Sequence, residues 1–204
     1  MKITYLGHSC FKVETACTSL LFDPFADIGY DVKRTSADIV LCSHEHFDHN
    51  ATHKVDGKTI IEYLANEEVD GVKISTLSTF HDEVKGAKRG INRVYKIETE
   101  NISVVHLGDL GEITDEVIEF VKNVDVLLIP VGGTYTIDHV QAKEIIDIAK
   151  PVHIIPMHYK SGKSQINISP LSLFTALFEK VHYLPSTVDI SALKPSVNVM
   201  EIDN

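Results

Sequence analysis

A chain of 204 residues, 44% hydrophobic and 24% charged, is long enough to bury a sizeable core and suits one domain, at most two. Its 29 acidic side chains outnumber 19 Lys and Arg, a net charge of −10, the wrong sign for a protein that follows a phosphate backbone, so no nucleic-acid polymer is expected as a partner. No apolar run approaches the roughly 20 residues of a membrane span, the start lacks the regions of a secretory leader, and three irregularly spaced cysteines (Cys10, Cys17, Cys42) make no disulfide framework; a cytoplasmic protein without membrane contact is expected.

"KITYLG" and "CFKVET" alternate as a strand pair with a tight link at Gly7–Ser9, and "TSLLFDPF" is a strand stopped by Pro24. "ADIVLCS" is apolar on both sides, as in a strand buried between neighbours. "HEHFDH" follows it and opens a short helix. "KTIIEYL", "GVKISTL", "RVYKIE" and "ISVVHLGD" read as strands by their β-branched content, and the basic segment "KGAKRG" (Lys85 to Gly90) as a solvated loop. Thr114 caps a helix over Asp115 to Val121, and "DVLLIP" is a buried strand.

"VGGTYTID" offers either backbone N–H groups for an anion or a turn and a helix cap. The helix "DHVQAKEIIDIAKP" turns Val140, Ala142, Ile145, Ile146, Ile148 and Ala149 mostly to one face and ends at Pro151. "VHIIPMHY" is a strand, "SPLSLFTALFEK" a helix capped by Ser169 with Pro170 first, and short strands close the chain. Helices in both strand-rich halves suggest layers ordered helix–sheet–sheet–helix.

Chemistry concentrates after the strands. His44, His46, Asp48 and His49 fall within six residues directly behind an apolar run. Two apart in an extended segment, His44 and His46 project to one side, while Asp48 and His49 can aim at a neighbouring position. His81, Asp109 and His158 each follow another strand, and ligand sites gather where strands end. Imidazole and carboxylate donors suit zinc, and also manganese or iron; one shared carboxylate would let two cations sit about 3.5–4 Å apart. Such histidines must be neutral to bind, so metal retention is expected to fall below about pH 6.

Asp23 in "FDPF" either orients this cluster or caps a turn. His8 in "LGHSC" either meets substrate or shapes a turn, His106 is structural and can brace Asp109, and Cys42 is a buried thiol. No Gly-x-Ser-x-Gly elbow supplies another nucleophile.

With "YLGHSCF", "FDPF", "SHEHFDHN", "FHDEVKGAKRG", "VVHLGDLG", "LLIPVGGTYTID" and "IPMHY", the chain resembles the metallo-β-lactamase-fold metal-dependent hydrolases over nearly its whole length. It is most similar to the small branch that includes the ascorbate-6-phosphate lactonase relatives. The resemblance implies one α+β domain over residues 1–204, a four-layered αβ/βα sandwich with its site along one edge of two sheets. It implies two cations, zinc first among candidates: one on His44, His46 and His81, a second on Asp48, His49 and His158, bridged by Asp109.

The implied activity is hydrolysis of a small ester, lactone or phosphate ester, anionic substrates among the candidates, by metal-bound hydroxide, with Asp48 and His8 as catalytic residues. A phosphodiesterase acting on nucleotides or nucleic acid and a non-catalytic metal-binding module remain the alternatives, and the oligomeric state stays open. His46 stands where the flavodiiron branch has Glu, which argues against oxygen reduction.

Overall fold

The structure is a computed structural model that describes residues 1–61, 66–162 and 164–203. Among them, strands form two sheets. The first runs β13 (Thr187–Asp189), β1 (Lys2–Gly7), β2 (Cys10–Glu14), β3 (Ser19–Phe22), β4 (Thr35–Leu41), β5 (Val55–Ile61). Its first three junctions are antiparallel and its last two parallel. Alternation decides its faces. Ile3, Tyr5, Phe11, Val13, Leu20, Phe22, Ile39 and Leu41 enter the core between the sheets. Leu6, Cys10, Leu21 and Val40 face the other way, where Phe25, Ile28 and Val32 cover them.

The second sheet runs β12 (Val181–Leu184), β14 (Ser196–Met200), β11 (His153–Met157), β10 (Val126–Pro130), β9 (Ile102–His106), β8 (Ile91–Thr99), β7 (Val72–Phe80), β6 (Glu67–Val69). From β12 to β9 it is parallel, from β9 to β6 antiparallel. All five residues of β10 are buried, because one face meets the first sheet and the other meets α2 (His139–Ala149). Both α1 (Asp115–Val121) and α3 (Leu171–Thr175) pack against α2.

The layers are thus coil, sheet, sheet and helix, an α+β sandwich. Residues 23–34 form the coil layer: Pro24 interrupts the backbone, and Asp27 and Gly29 take left-handed conformations that no helix passes through.

Several expectations shift in detail. Thr114 and Asp138 do cap α1 and α2, the latter with a capping box in which Gln141 answers Asp138. The apolar face of α2 is Ala142, Ile145, Ile146 and Ala149, an i, i+3, i+4, i+7 set; Val140 and Ile148 point outward, more than half exposed. The last helix starts at Leu171 without a side-chain cap, because Lys160 and Gly132 hold Ser169 in extended pairing. No helix opens at the histidine cluster, which is a bend pinned by bonds from Ser43 N to Asp23 and from His49 N and Asn50 N to His46 O. The strand before His81 continues to Phe80, and the strand read over "KTIIEYL" is described only to Ile61, residues 62–64 lying outside the described residues. No described helix is long and apolar enough to cross a membrane.

Candidate active site

All the predicted donors stand at one edge of the sandwich, at the carboxyl ends of strands. The first sheet supplies His8 after β1, Asp23 after β3 and His44, His46, Asp48 and His49 after β4; the second supplies His81 after β7, Asp109 after β9 and His158 after β11. Three sets of candidate ligand atoms each lie within 4.8 Å: His44, His46 and His81; His8, Asp48, His49 and His158; and His44, His49 and Asp109. Asp109 lies between the groups, with Oδ1 3.3 Å from His49 Nε2 and Oδ2 3.3 Å from His81 Nε2 and 3.2 Å from His158 Nε2.

The imidazoles are oriented from behind. Asp23 takes Ser43 N on Oδ1 (2.7 Å), and on Oδ2 both Ser43 Oγ (2.7 Å) and His49 Nδ1 (2.8 Å). With its own proton given to Asp23, the Ser43 hydroxyl accepts from His44 Nδ1 (2.9 Å). His81 Nδ1 donates to the Tyr135 carbonyl (3.0 Å). In all three rings the Nδ1 proton is engaged, so Nε2 presents a lone pair to the centre. The Nε2 atoms of His8, His44, His49 and His158, and Oδ1 of Asp109, are buried without a hydrogen-bond partner. Buried polar atoms are rarely left so, and these five, spread over neighbouring groups of candidate ligands, fit cations as the missing partners.

The carboxyl-bearing turn is braced too. Gly108 N donates to His106 Nδ1 (3.0 Å), so His106 Nε2 carries the proton and donates to Ser9 O (2.8 Å) while the ring stacks on Phe22. Asp109 N is held by Asn92 Oδ1 (2.9 Å). Gly108 has φ +56°, and a Cβ there would meet Asn92 Oδ1 at 2.3 Å and Ser43 Cβ at 2.6 Å, so no larger residue fits. His8, itself at φ +52°, is bolted through its carbonyl, which accepts from Tyr5 Oη (2.8 Å) and His158 N (2.9 Å). Its Nε2 sits 3.5 Å from Asp48 Oδ2.

The electrostatics invite positive charge. Burial pushes the His44 imidazole well below its ordinary value, with His49 adding to the fall, and lowers His46 in the same way beside His81. His8 is pushed down to about 4 by burial and by His158. His49 goes the other way: burial would lower it, but the carboxylates of Asp109, Asp23 and Asp48 lift it well above the usual imidazole value. Burial works against ionised Asp109 and Asp48, yet the imidazoles around them, His158 and His49 for the first and His49 and His8 for the second, hold both carboxyls far below the usual range. The field that presses a proton onto His49 would equally draw a metal cation into that space.

Asp48, His46, His81 and Asp109 line a cleft of about 660 Å³, while His8 lies beneath Asp48, 2% exposed. Ser43, Asn92 and Tyr135 were not singled out in the sequence. Tyr135 acts through its carbonyl, which every residue has, and only its place in "VGGTYTID" hinted at a role. Within that segment the Asp138 N–H serves the α2 capping box, and those of Val131, Tyr135 and Ile137 donate to the carbonyls of Met157, Gly133 and Leu110. Cys42, just past the end of β4, is buried, as its pattern implied.

The chain belongs to the metallo-β-lactamase superfamily: the beta-lactamase superfamily domain matches residues 2–158. Among its relatives are a UPF0173 protein of Pyrococcus furiosus, 33% identical over 183 residues (78% of this chain, 83% of the other), and a UPF0173 metal-dependent hydrolase of Thermococcus onnurineus, 27% identical with 79% and 85% covered. A crystal structure from Thermotoga maritima, described as a Zn-dependent hydrolase of the metallo-beta-lactamase superfamily, matches with a TM-score of 0.84 and 39% identity over 99% of both chains. A metallo hydrolase of Ignicoccus hospitalis shares the fold, with a TM-score of 0.65, 22% identity and 86% and 89% covered.

Proposed function

We propose that this metal-dependent hydrolase is a dinuclear enzyme, with zinc as its metal, acting on a small ester, lactone or phosphate ester in the cytoplasm. One cation would be held by His44, His46 and His81, a second by Asp48, His49 and His158, with Asp109 between them. The observation that carries this reading is the gathering of the His49, His81 and His158 Nε2 atoms around Asp109, with the Nδ1 protons of His44, His49 and His81 engaged elsewhere. Manganese or iron could replace zinc on the same donors.

Bound cations supply Lewis acidity and lower the pKa of water toward about 7. The chain's own groups do the rest. Asp23 and the Tyr135 carbonyl keep the imidazoles in the tautomer that leaves Nε2 free. Asp48, at the cleft surface, accepts a proton from the attacking water and passes it on to the leaving oxygen, while His8, facing Asp48 Oδ2 from below, holds that carboxyl in place for the transfer. Each sheet brings only part of the donor set, which supports one catalytic domain over residues 1–204. The free cysteines suit a reducing compartment.

The test is removal and return of metal during hydrolysis of 4-nitrophenyl acetate and bis-4-nitrophenyl phosphate. Activity should fall by more than about 1,000-fold on chelation and return with zinc or manganese. Hydrolysis that persists unchanged without metal rules the reading out, and preference for the diester would redirect it to a phosphodiesterase.

A further inference from the structure

The basic segment "KGAKRG" leads into the same cleft. Arg89 lines it and lays its guanidinium over the Tyr135 ring, Cζ 4.3 Å from the centroid. Tyr135 therefore holds His81 with its carbonyl and Arg89 with its ring. In so acidic a chain an arginine normally finds a carboxylate, as Arg34 finds Asp56 at 2.6 Å. Among the described residues no carboxylate stands within ion-pair distance of Arg89. The ring occupies the face of the guanidinium and leaves its N–H edge for a planar or tetrahedral anion.

The loop presenting Arg89 is built. Asp82, buried next to His81, accepts four backbone N–H groups: Val84 (3.0 Å) and Gly86 (2.8 Å) on Oδ1, Lys88 (2.9 Å) and Arg89 (2.8 Å) on Oδ2. A carboxylate wrapped this way fixes the loop more tightly than turn residues alone. Gly111 closes the underside, where a Cβ would lie 2.2 Å from Asp82 N. The same cleft is lined by Phe47, 60% exposed between two predicted ligands, and by Ile166. An exposed aromatic beside a buried polar cluster offers contact to an apolar body.

We propose that Arg89 receives an anionic group of the substrate, a carboxylate or a phosphate, while Phe47 and Ile166 hold its apolar part, Asp82 serving as the residue that positions Arg89. This rests on the hydrolase reading for the place of the scissile bond but not for the binding of the anion.

The experiment is calorimetric titration of the zinc-loaded protein with phenylacetate, phenyl phosphate and neutral phenylacetamide. Wild type, Arg89→Ala, Arg89→Lys and Asp82→Asn are compared, with zinc content and thermal midpoint as controls. Arg89→Ala should weaken one or both anions about tenfold and leave phenylacetamide unchanged, the larger loss identifying carboxylate or phosphate. Arg89→Lys should recover part of the loss, since charge returns without the fork. Asp82→Asn should follow Arg89→Ala on the anions alone; equal weakening of all three probes would remove its positioning role. Equal anion affinities in wild type and Arg89→Ala, or wild-type anion binding no tighter than phenylacetamide, overturns the proposal. Anion discrimination in a protein that hydrolyses no ester would instead sink the hydrolase reading and leave this one standing.

Discussion

The middle of the sandwich and its edge are built on opposite rules. Between the sheets, Leu128, Ile155, Val104 and Tyr95 are fully buried, and the Tyr95 hydroxyl reaches the Cys42 carbonyl (2.9 Å). A few ångströms on, at the strand ends, imidazoles and carboxylates crowd together with buried atoms unpaired. The middle is stable as it stands; the edge is complete only with a partner the polypeptide does not supply.

That contrast can be broken in order of effect. Asp109→Asn keeps the shape but removes the charge shared by the groups. Zinc affinity should fall by at least about 100-fold and hydrolysis with it, while circular dichroism stays native. Leu128→Ala is the converse: a loss of about 2–5 kcal/mol in denaturant unfolding with zinc stoichiometry unchanged in the folded protein. Asp23→Asn leaves every proposed ligand in place but loosens Ser43, His44 and His49; competition with a chromophoric chelator should show metal binding about 10–100-fold weaker. Val140→Ala, on the outward side of α2, should shift stability by no more than about 0.5 kcal/mol. A core-sized loss there would show that the outward face is covered.

The two rules also differ in how they are written in sequence. "HEHFDH", and single His or Asp residues just beyond apolar runs, marked the seven proposed ligands, which the structure brings together with His8, because ligand chemistry needs particular side chains and strand ends need particular patterns. The supports left little trace. Tyr135 works through a carbonyl, Ser43 through a relay proton, Asn92 through contacts to the Asp109 and Leu107 backbone. The α1 and α2 caps were readable because capping is local in sequence. The start of α3 was not, since a distant pairing of Ser169 displaced it, and the coil layer was missed because only its fit onto β2, β3 and β4 identifies it.

The carbonyl of His8 ties the turn after β1 to the N–H of His158, just past the eleventh strand in chain order. During synthesis the HEHFDH bend therefore emerges long before the segment it must close against. A ribosome-bound fragment shorter than about 160 residues can pair its first hairpins but has no floor for the pocket, because non-local closure comes late. Nascent chains are thus expected to pass through a stage of exposed imidazoles open to any stray cation, and maturation to end at one late backbone latch.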